Sequence, residues 1–169
     1  MSLTHKVQKA DAIIQATGGD EWRRLKEICT RIRRSENQLL AEAVPMMEQC
    51  IHHCKGLCCQ NIYPDEIITF ADNVLVLALH PNLKPAMSAA ARHESLFTSS
   101  CVFLEGGKGP CMFPPDLRPE RCLTTFCADE TPIRREIQEV RRSFSHLHRF
   151  LIWRQPRLIK EWVWNVLPS

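Results

Sequence analysis

Cysteine is the residue type in this chain best suited to chemistry, and its distribution is uneven. Eight of the nine cysteines fall between residues 50 and 127, whereas Cys29 stands apart. In a reducing compartment, clustered thiols more often bind metal or exchange electrons than form a disulfide framework. The candidate metal ligands are Cys50, Cys54, Cys58, Cys59, Cys101, Cys111, Cys122 and Cys127.

The spacing of the first cluster brings several thiols toward one point. Cys50 and Cys54 point to the same side of a helix end, and Gly56 lets the backbone turn so that Cys58 or Cys59 approaches them. Adjacent side chains diverge, so Cys58 and Cys59 are not both expected to bind one small ion. Ligation by sulfur alone selects zinc or an iron–sulfur centre and excludes calcium and magnesium.

The polar residues near these cysteines receive different interpretations. Arg118 is expected to lie beside the thiolates, donate hydrogen bonds to sulfur and offset negative charge. His52 and His53 lie between two candidate ligands, so a mixed Cys/His site is one alternative. The default interpretation is a histidine that is solvated or lies next to the ligands, because consecutive helix residues cannot both face one metal. Cys29 is interpreted as a buried core thiol.

The cysteine pattern resembles a known family. Its elements are the C-x3-C-x3-C-C series that ends at Cys59, the C-x-F-L segment at Cys101, a glycine-containing turn before Cys111, and Arg-Pro-x-x-Cys ending at Cys122. Together they resemble the YkgJ-like cysteine-cluster family, described as zinc- or iron-chelating, over residues 50–127. The resemblance implies that all eight clustered cysteines chelate metal. A related cluster in flagellin lysine methylase is linked to iron–sulfur chemistry, but such analogy does not transfer a reaction.

Helical periodicity predicts the elements that must position these residues. On the second helix, an apolar face is predicted from Leu25 to Ala43, with Glu36 grouped among the arginines elsewhere, and a kink or restart is expected at Pro45. A small hairpin is predicted around Gly106, and prolines are expected to keep residues 114–122 irregular. The predicted helices are 3–16, one starting after an Asp20 cap, one from Pro64 through Leu77, 84–94, 131–153 and 158–163.

Length and composition favour one mostly α-helical domain over residues 1–169. The chain has 169 residues, 44% of them hydrophobic, and a formal net charge of +3. N-terminal helices are expected over 1–44, an irregular cysteine-rich metal-binding region with the hairpin over 45–127, and C-terminal helices over 131–169. The longest apolar run, Val74 to Leu79, is too short for a membrane span, and no signal peptide is evident, so a cytoplasmic location is expected.

The predicted helix over 131–153 carries arginines that resemble a phosphate-binding stripe. Arg135, Arg142 and Arg149 repeat every seven residues, but interleaved glutamates and the small net charge favour a solvated face. Nucleic acid is therefore an unlikely partner. No P-loop, GxGxxG, GxSxG or HExxH motif occurs, so the catalytic residues are unknown and an enzyme is disfavoured.

These observations predict a metal-binding protein that holds an iron–sulfur cluster, as first choice, or zinc through cysteine thiolates. The centre is expected to be structural or redox-active, with an unidentified protein or redox partner. A zinc-braced interaction or nucleic-acid-binding module is the first alternative. An enzyme that uses an iron–sulfur cluster is the second.

Overall fold

A computed structural model of the chain describes residues 1–49, 59, 61–92, 101–107 and 110–154. Within these ranges the regular structure is helical, which confirms the mostly α prediction. The predicted helix over 158–163 lies outside them, as do Cys50, Cys54 and Cys58. The α-helices are α1 (Leu3–Ala16), α2 (Gly19–Gln49), α3 (Pro64–Ile67), α4 (Phe70–Leu79), α5 (Lys84–Ala91), α6 (Glu120–Thr124) and α7 (Arg134–Arg154).

The first two helices differ from expectation at the start and toward the end of α2. Asp20 does not cap α2 but lies in its first turn, where it forms an ion pair with Arg23 at 2.8 Å. The helix continues through Pro45 to its end, so no restart occurs there. Both Pro45 and Ala41, one turn earlier, are exposed, and water can therefore hydrogen-bond the carbonyl group that proline leaves without a donor.

The single buried helix predicted from Pro64 through Leu77 is instead two helices, α3 and α4. Thr69 separates them by capping α4: its hydroxyl accepts a hydrogen bond from the Asp72 N–H, and the Asp72 carboxylate accepts one from the Thr69 N–H. This reciprocal pair is a capping box, which starts a helix at a defined residue. The Lys6 ammonium group donates to the carbonyls of Asp65 and Ile68, at 2.6 and 2.7 Å, and so holds the end of α3 against α1.

The core lies where α2 packs against α7 and where α1 packs against α4 and α5. The apolar stripe predicted for α7 is confirmed, since all five of its members are buried: Ile137, Val140, Phe144, Leu147 and Leu151. Cys29 is buried as predicted, and burial raises the pKa of its thiol to about 12. None of the described helices is both long and apolar enough to span a membrane.

The last residue of α7 ties that helix to the turn between α1 and α2. The Arg154 guanidinium donates to the carbonyl of Ala16 at 2.9 Å and to the hydroxyl of Thr17, and it forms an ion pair with Glu21 at 2.9 Å. The C-terminal end of α7 is therefore joined directly to the turn between the first two helices.

The assignment of Glu36 to the polar face of α2 is wrong. Its side chain is fully buried, on the same face as Ile32 and Leu39. Neither carboxyl oxygen has a hydrogen-bond partner among the described residues. The helix therefore places an unpaired acid in the core.

The predicted β-hairpin around Gly106 is not supported, because the described residues contain no strand. They form one antiparallel bridge, between Leu104 and Cys111, with flanking hydrogen bonds from Glu105 N–H to the Pro110 carbonyl at 3.1 Å and from Met112 N–H to the Phe103 carbonyl at 2.9 Å. Toward the turn, the next residue pair would need an N–H group on Pro110, which proline lacks. The pairing therefore does not extend in that direction.

The expectation that prolines keep residues 114–122 irregular is also wrong in part. Residues Pro115–Leu117 form a short 3-10 helix, and α6 begins immediately after Pro119. Proline lacks a donor that the start of a helix does not use, so it is compatible with helix N-termini. Cys122 consequently lies on a helix rather than in a loop.

Candidate metal centre

Three candidate ligands lie in two segments that the backbone joins. The Cys101 N–H donates to the Cys59 carbonyl at 2.9 Å, although 42 positions separate them in the sequence. Cys111 pairs with Leu104 in the antiparallel bridge, and Leu104 follows Cys101 by three residues. Burial raises the pKa of the Cys101 thiol and the nearby Cys111 raises it further, whereas a hydrogen bond from the Phe103 backbone acts in the opposite direction. Cys59, Cys101 and Cys111 therefore belong to one neighbourhood.

Cys122 joins this neighbourhood from α6. Surrounding protein atoms raise the pKa of its thiol, and one carboxyl group and three thiols raise it further: Asp72, Cys101, Cys59 and Cys111. Part of the Cys122 side chain is nevertheless exposed. Four thiols from three separate segments thus lie within electrostatic range of one another.

The remaining candidates are not brought into this group. Cys127 is exposed, and the described contacts do not connect it to the four thiols; Cys50, Cys54 and Cys58 lie outside the described residues. Within the described ranges, no three His, Cys, Asp or Glu side chains are arranged as ligands of a single metal ion. That part of the chain therefore provides a cluster of thiols, not a complete coordination shell.

Arg118, predicted to neighbour the thiolates, carries an unused hydrogen-bond donor. Its Nε is buried, and within the described part of the chain it has no acceptor. The residue lies four positions before Cys122, in the extended stretch that precedes α6. Buried donors are nearly always paired, so an unpaired one indicates an acceptor that these contacts do not supply. An anionic sulfur centre would be a suitable acceptor.

The cluster chemistry fits a soft cation. Asp72 and the neighbouring thiols disfavour the thiolate form of Cys122, and a positive ion would reverse this effect for all the thiols at once. Thiolate is the form that binds zinc or iron.

Asp72, on α4, is a buried neighbour of the cluster that the sequence did not suggest. Its side chain is 1% exposed. One carboxylate oxygen, Oδ2, accepts hydrogen bonds from the Thr69 N–H and hydroxyl, both at 2.6 Å. The other, Oδ1, accepts from the Glu120 N–H at 2.8 Å. Burial raises the pKa of Asp72, and these hydrogen bonds oppose the rise.

A group of acidic side chains extends from Asp72 into the core. Burial raises the pKa of Glu36 to about 9, and Asp72, Asp116 and Glu120 add to the effect. The pKa of Glu120 is likewise raised to about 7, first by burial and then by Asp72. Burial lowers the pKa of His148 on α7, and Asp72 opposes that shift. The acids on α2, α4 and α6 thus face one another.

The arginine stripe of α7 forms a solvated face. Arg135, Arg142 and Arg149 are all exposed. Arg142 is paired with Glu139, and the Arg149 guanidinium lies 2.9 Å from Nδ1 of His146. Two of the three cations therefore already have partners on their own helix.

We expect no tight binding of nucleic acid at this face. A stripe that neutralises several phosphates would lose about one log unit of affinity per log unit of salt for each phosphate. Titration of RNA and duplex DNA at low and moderate salt measures this dependence. Submicromolar binding that persists at about 0.15 M salt and disappears on substitution of Arg135, Arg142 and Arg149 by Glu would contradict the prediction.

Comparisons with protein-family models, with curated proteins and with solved structures found no match to this chain.

Proposed function

We propose that the protein binds a soft metal centre through cysteine thiolates, with an iron–sulfur cluster as first choice and zinc as second. The observation that carries the proposal is the grouping of Cys59, Cys101, Cys111 and Cys122 from three segments distant in sequence. Four thiols that act on one another offer the all-sulfur environment that zinc and iron–sulfur centres share. The other four clustered cysteines complete the proposed ligand set.

The proposed centre has a structural role. The segment 101–107 and the stretch from Pro110 to Pro119 contain one β-bridge and two short 3-10 helices, and hence few repeating backbone hydrogen bonds. A metal bound by Cys59, Cys101 and Cys122 would link this part of the chain to α6. Because ligation occurs only in the folded chain, the free energy of binding then adds to the free energy of folding.

The resemblance to the YkgJ-like cysteine-cluster family supports the same proposal. It rests on the cysteine spacing and on the Arg-Pro-x-x-Cys element that begins at Arg118. The Nε of Arg118 has no acceptor among the described residues, and the proposal supplies one, an anionic sulfur of the centre.

Metal analysis of the protein purified without oxygen tests the proposal. We expect iron with acid-labile sulfide and broad visible absorption, or else zinc without colour. Cys101→Ser and Cys122→Ser are expected to lose most of the metal, because serine is a poor ligand for soft ions. Cys29→Ala is the matched control: this thiol is buried on α2, so the variant should keep the metal. Wild-type protein that folds with neither metal, or equal loss in all three variants, would contradict the proposal.

A further inference from the structure

The first turn of α6 is held by a carboxylate from another helix. The Glu120 N–H donates to Oδ1 of Asp72 at 2.8 Å, across 48 positions of sequence. Asp72 is almost completely buried, so little water competes for this oxygen.

The two carboxylate oxygens of Asp72 have separate partners. Oδ2 faces Thr69 and completes the capping box of α4. Oδ1 contributes nothing to that box and faces only the backbone of α6 among the described contacts. The α4 cap and the attachment of α6 can therefore be disturbed independently.

The hydrogen bond from the Glu120 N–H to Asp72 determines where Cys122 lies. Cys122 follows Glu120 by two residues, and its N–H donates to the Pro119 carbonyl at 2.9 Å, so the two residues move as parts of one turn. Helix α6 has only five residues, and helices this short depend on tertiary contacts for their stability. The segment before it is rich in proline and offers few backbone donors.

Building on the metal-binding function proposed above, we propose that Asp72 is a positioning residue for the metal centre. Through its Oδ1 it fixes the first turn of α6 and so holds the sulfur of Cys122 beside those of Cys59, Cys101 and Cys111. In this role Asp72 is not a ligand: its two oxygens accept hydrogen bonds from the protein and so orient the backbone of α4 and α6. Groups that orient metal ligands in this way commonly change metal affinity by about ten- to a hundred-fold.

The hydrogen bond can be removed by a single substitution, Glu120→Pro. Glu120 is the first residue of α6, a position that proline favours. The preceding residue, Pro119, has φ −51° and ψ 143°, the extended conformation that a residue before proline adopts. Proline therefore fits the backbone and removes the N–H. Glu120→Ala is the matched control, since it removes the same carboxylate but keeps the N–H.

The first measurement is zinc affinity of the full chain, by competition with a chelator. We expect Glu120→Pro to bind zinc about ten- to a hundred-fold more weakly than Glu120→Ala, with similar melting temperatures for the two metal-free variants. Thr69→Ala, which weakens the cap but leaves Oδ1 in place, should bind zinc like the wild type. Equal affinity of Glu120→Pro and Glu120→Ala would overturn the inference.

A second pair of variants covers the case in which Glu120→Pro disturbs folding. Asp72→Ala removes the acceptor of the Glu120 N–H together with the cap of α4, whereas Thr69→Ala removes only the cap hydroxyl. We expect Thr69→Ala to retain more zinc affinity than Asp72→Ala at matched stability. No difference between them would overturn the inference.

Hydrogen exchange separates a failure of this inference from a failure of the proposed function. In metal-free protein, the amides of α6 should exchange faster in Glu120→Pro than in Glu120→Ala. If wild-type protein binds neither zinc nor iron, the metal-binding proposal fails, and the positioning role fails with it, while faster exchange would still show that the hydrogen bond anchors α6. If the wild type binds zinc but exchange and affinity are equal in the two variants, only the positioning role fails.

Discussion

Replacing Glu36 by glutamine is expected to raise the free energy of unfolding at pH 7 by about 3 kcal/mol. In the folded chain the Glu36 carboxyl is fully buried and has a pKa of about 9, against an ordinary value of 4.5. The unfolded chain ionises this group at pH 7, whereas the folded chain must keep it protonated. Glutamine has a similar shape and no charge, so the substitution removes this advantage of the unfolded state.

The same difference gives the pH dependence a definite sign. Between pH 4.5 and about 9 the folded chain binds one more proton at Glu36 than the unfolded chain does. The contribution of Glu36 is therefore fully present below pH 4.5 and is lost as the pH rises toward about 9. Denaturant unfolding across this range should show a shallower fall in stability for Glu36→Gln than for the wild type.

An exposed acid on the same helix provides the control. Glu42 also lies on α2, but its side chain is exposed. Glu42→Gln should therefore leave both the stability and its pH dependence close to those of the wild type. Parallel pH profiles for Glu36→Gln and the wild type would show that Glu36 is not buried as the structure has it.

Removal of the proposed metal is expected to have the second large effect, a marked fall in melting temperature. A ligand present at about a thousand times its dissociation constant stabilises the folded state by about 4 kcal/mol. The loss should be local at first: amides in segment 101–107 and near Cys122 should exchange faster, whereas the α2 and α7 core should stay protected. This core contains Leu39 and Phe144, both fully buried.

The Cys122→Ser variant, treated with the same chelator, is the control for this experiment. If the stabilisation comes from metal at the thiol cluster, a chelator should lower the melting temperature of the wild type and have little effect on the variant. A chelator that leaves the wild type unchanged would contradict the structural role of the centre.

Periodicity predicted the long helices well because their apolar residues recur at helical spacing over several turns. The prediction for Glu36 was wrong because it followed the charge of the side chain rather than its position on the helix. A glutamate among arginines resembles a solvated position, yet Cys29, Ile32, Glu36 and Leu39 follow the spacing of one buried face. That register was the signal that could have identified Glu36 as buried.

The start of α4 could also have been predicted from the sequence, since Thr69 and Asp72 have the spacing of a helix cap. The contact of Asp72 with the first turn of α6 could not have been predicted in this way. Both residues of that hydrogen bond have ordinary local roles, and only the tertiary fold joins Asp72 to Glu120. Spacing predicted that clustered cysteines would meet. The structure brings Cys59, Cys101, Cys111 and Cys122 within electrostatic range of one another, and their role as ligands stays a prediction.

The packing of α2 against α7 also affects how the chain folds during its synthesis. Helix α2 ends at Gln49, but α7, which covers its apolar face, begins only at Arg134. At translation rates of about 5–20 residues per second, the ribosome begins α7 on the order of ten seconds after it completes α2. During that interval the nascent chain exposes an apolar helix face to solvent or to chaperones. The contacts between α2 and α7 join residues that are far apart in the sequence, so folding should be slow for a helical protein. Aggregation during overexpression should arise from ribosome-bound chains shorter than about 150 residues, because these chains lack a complete α7.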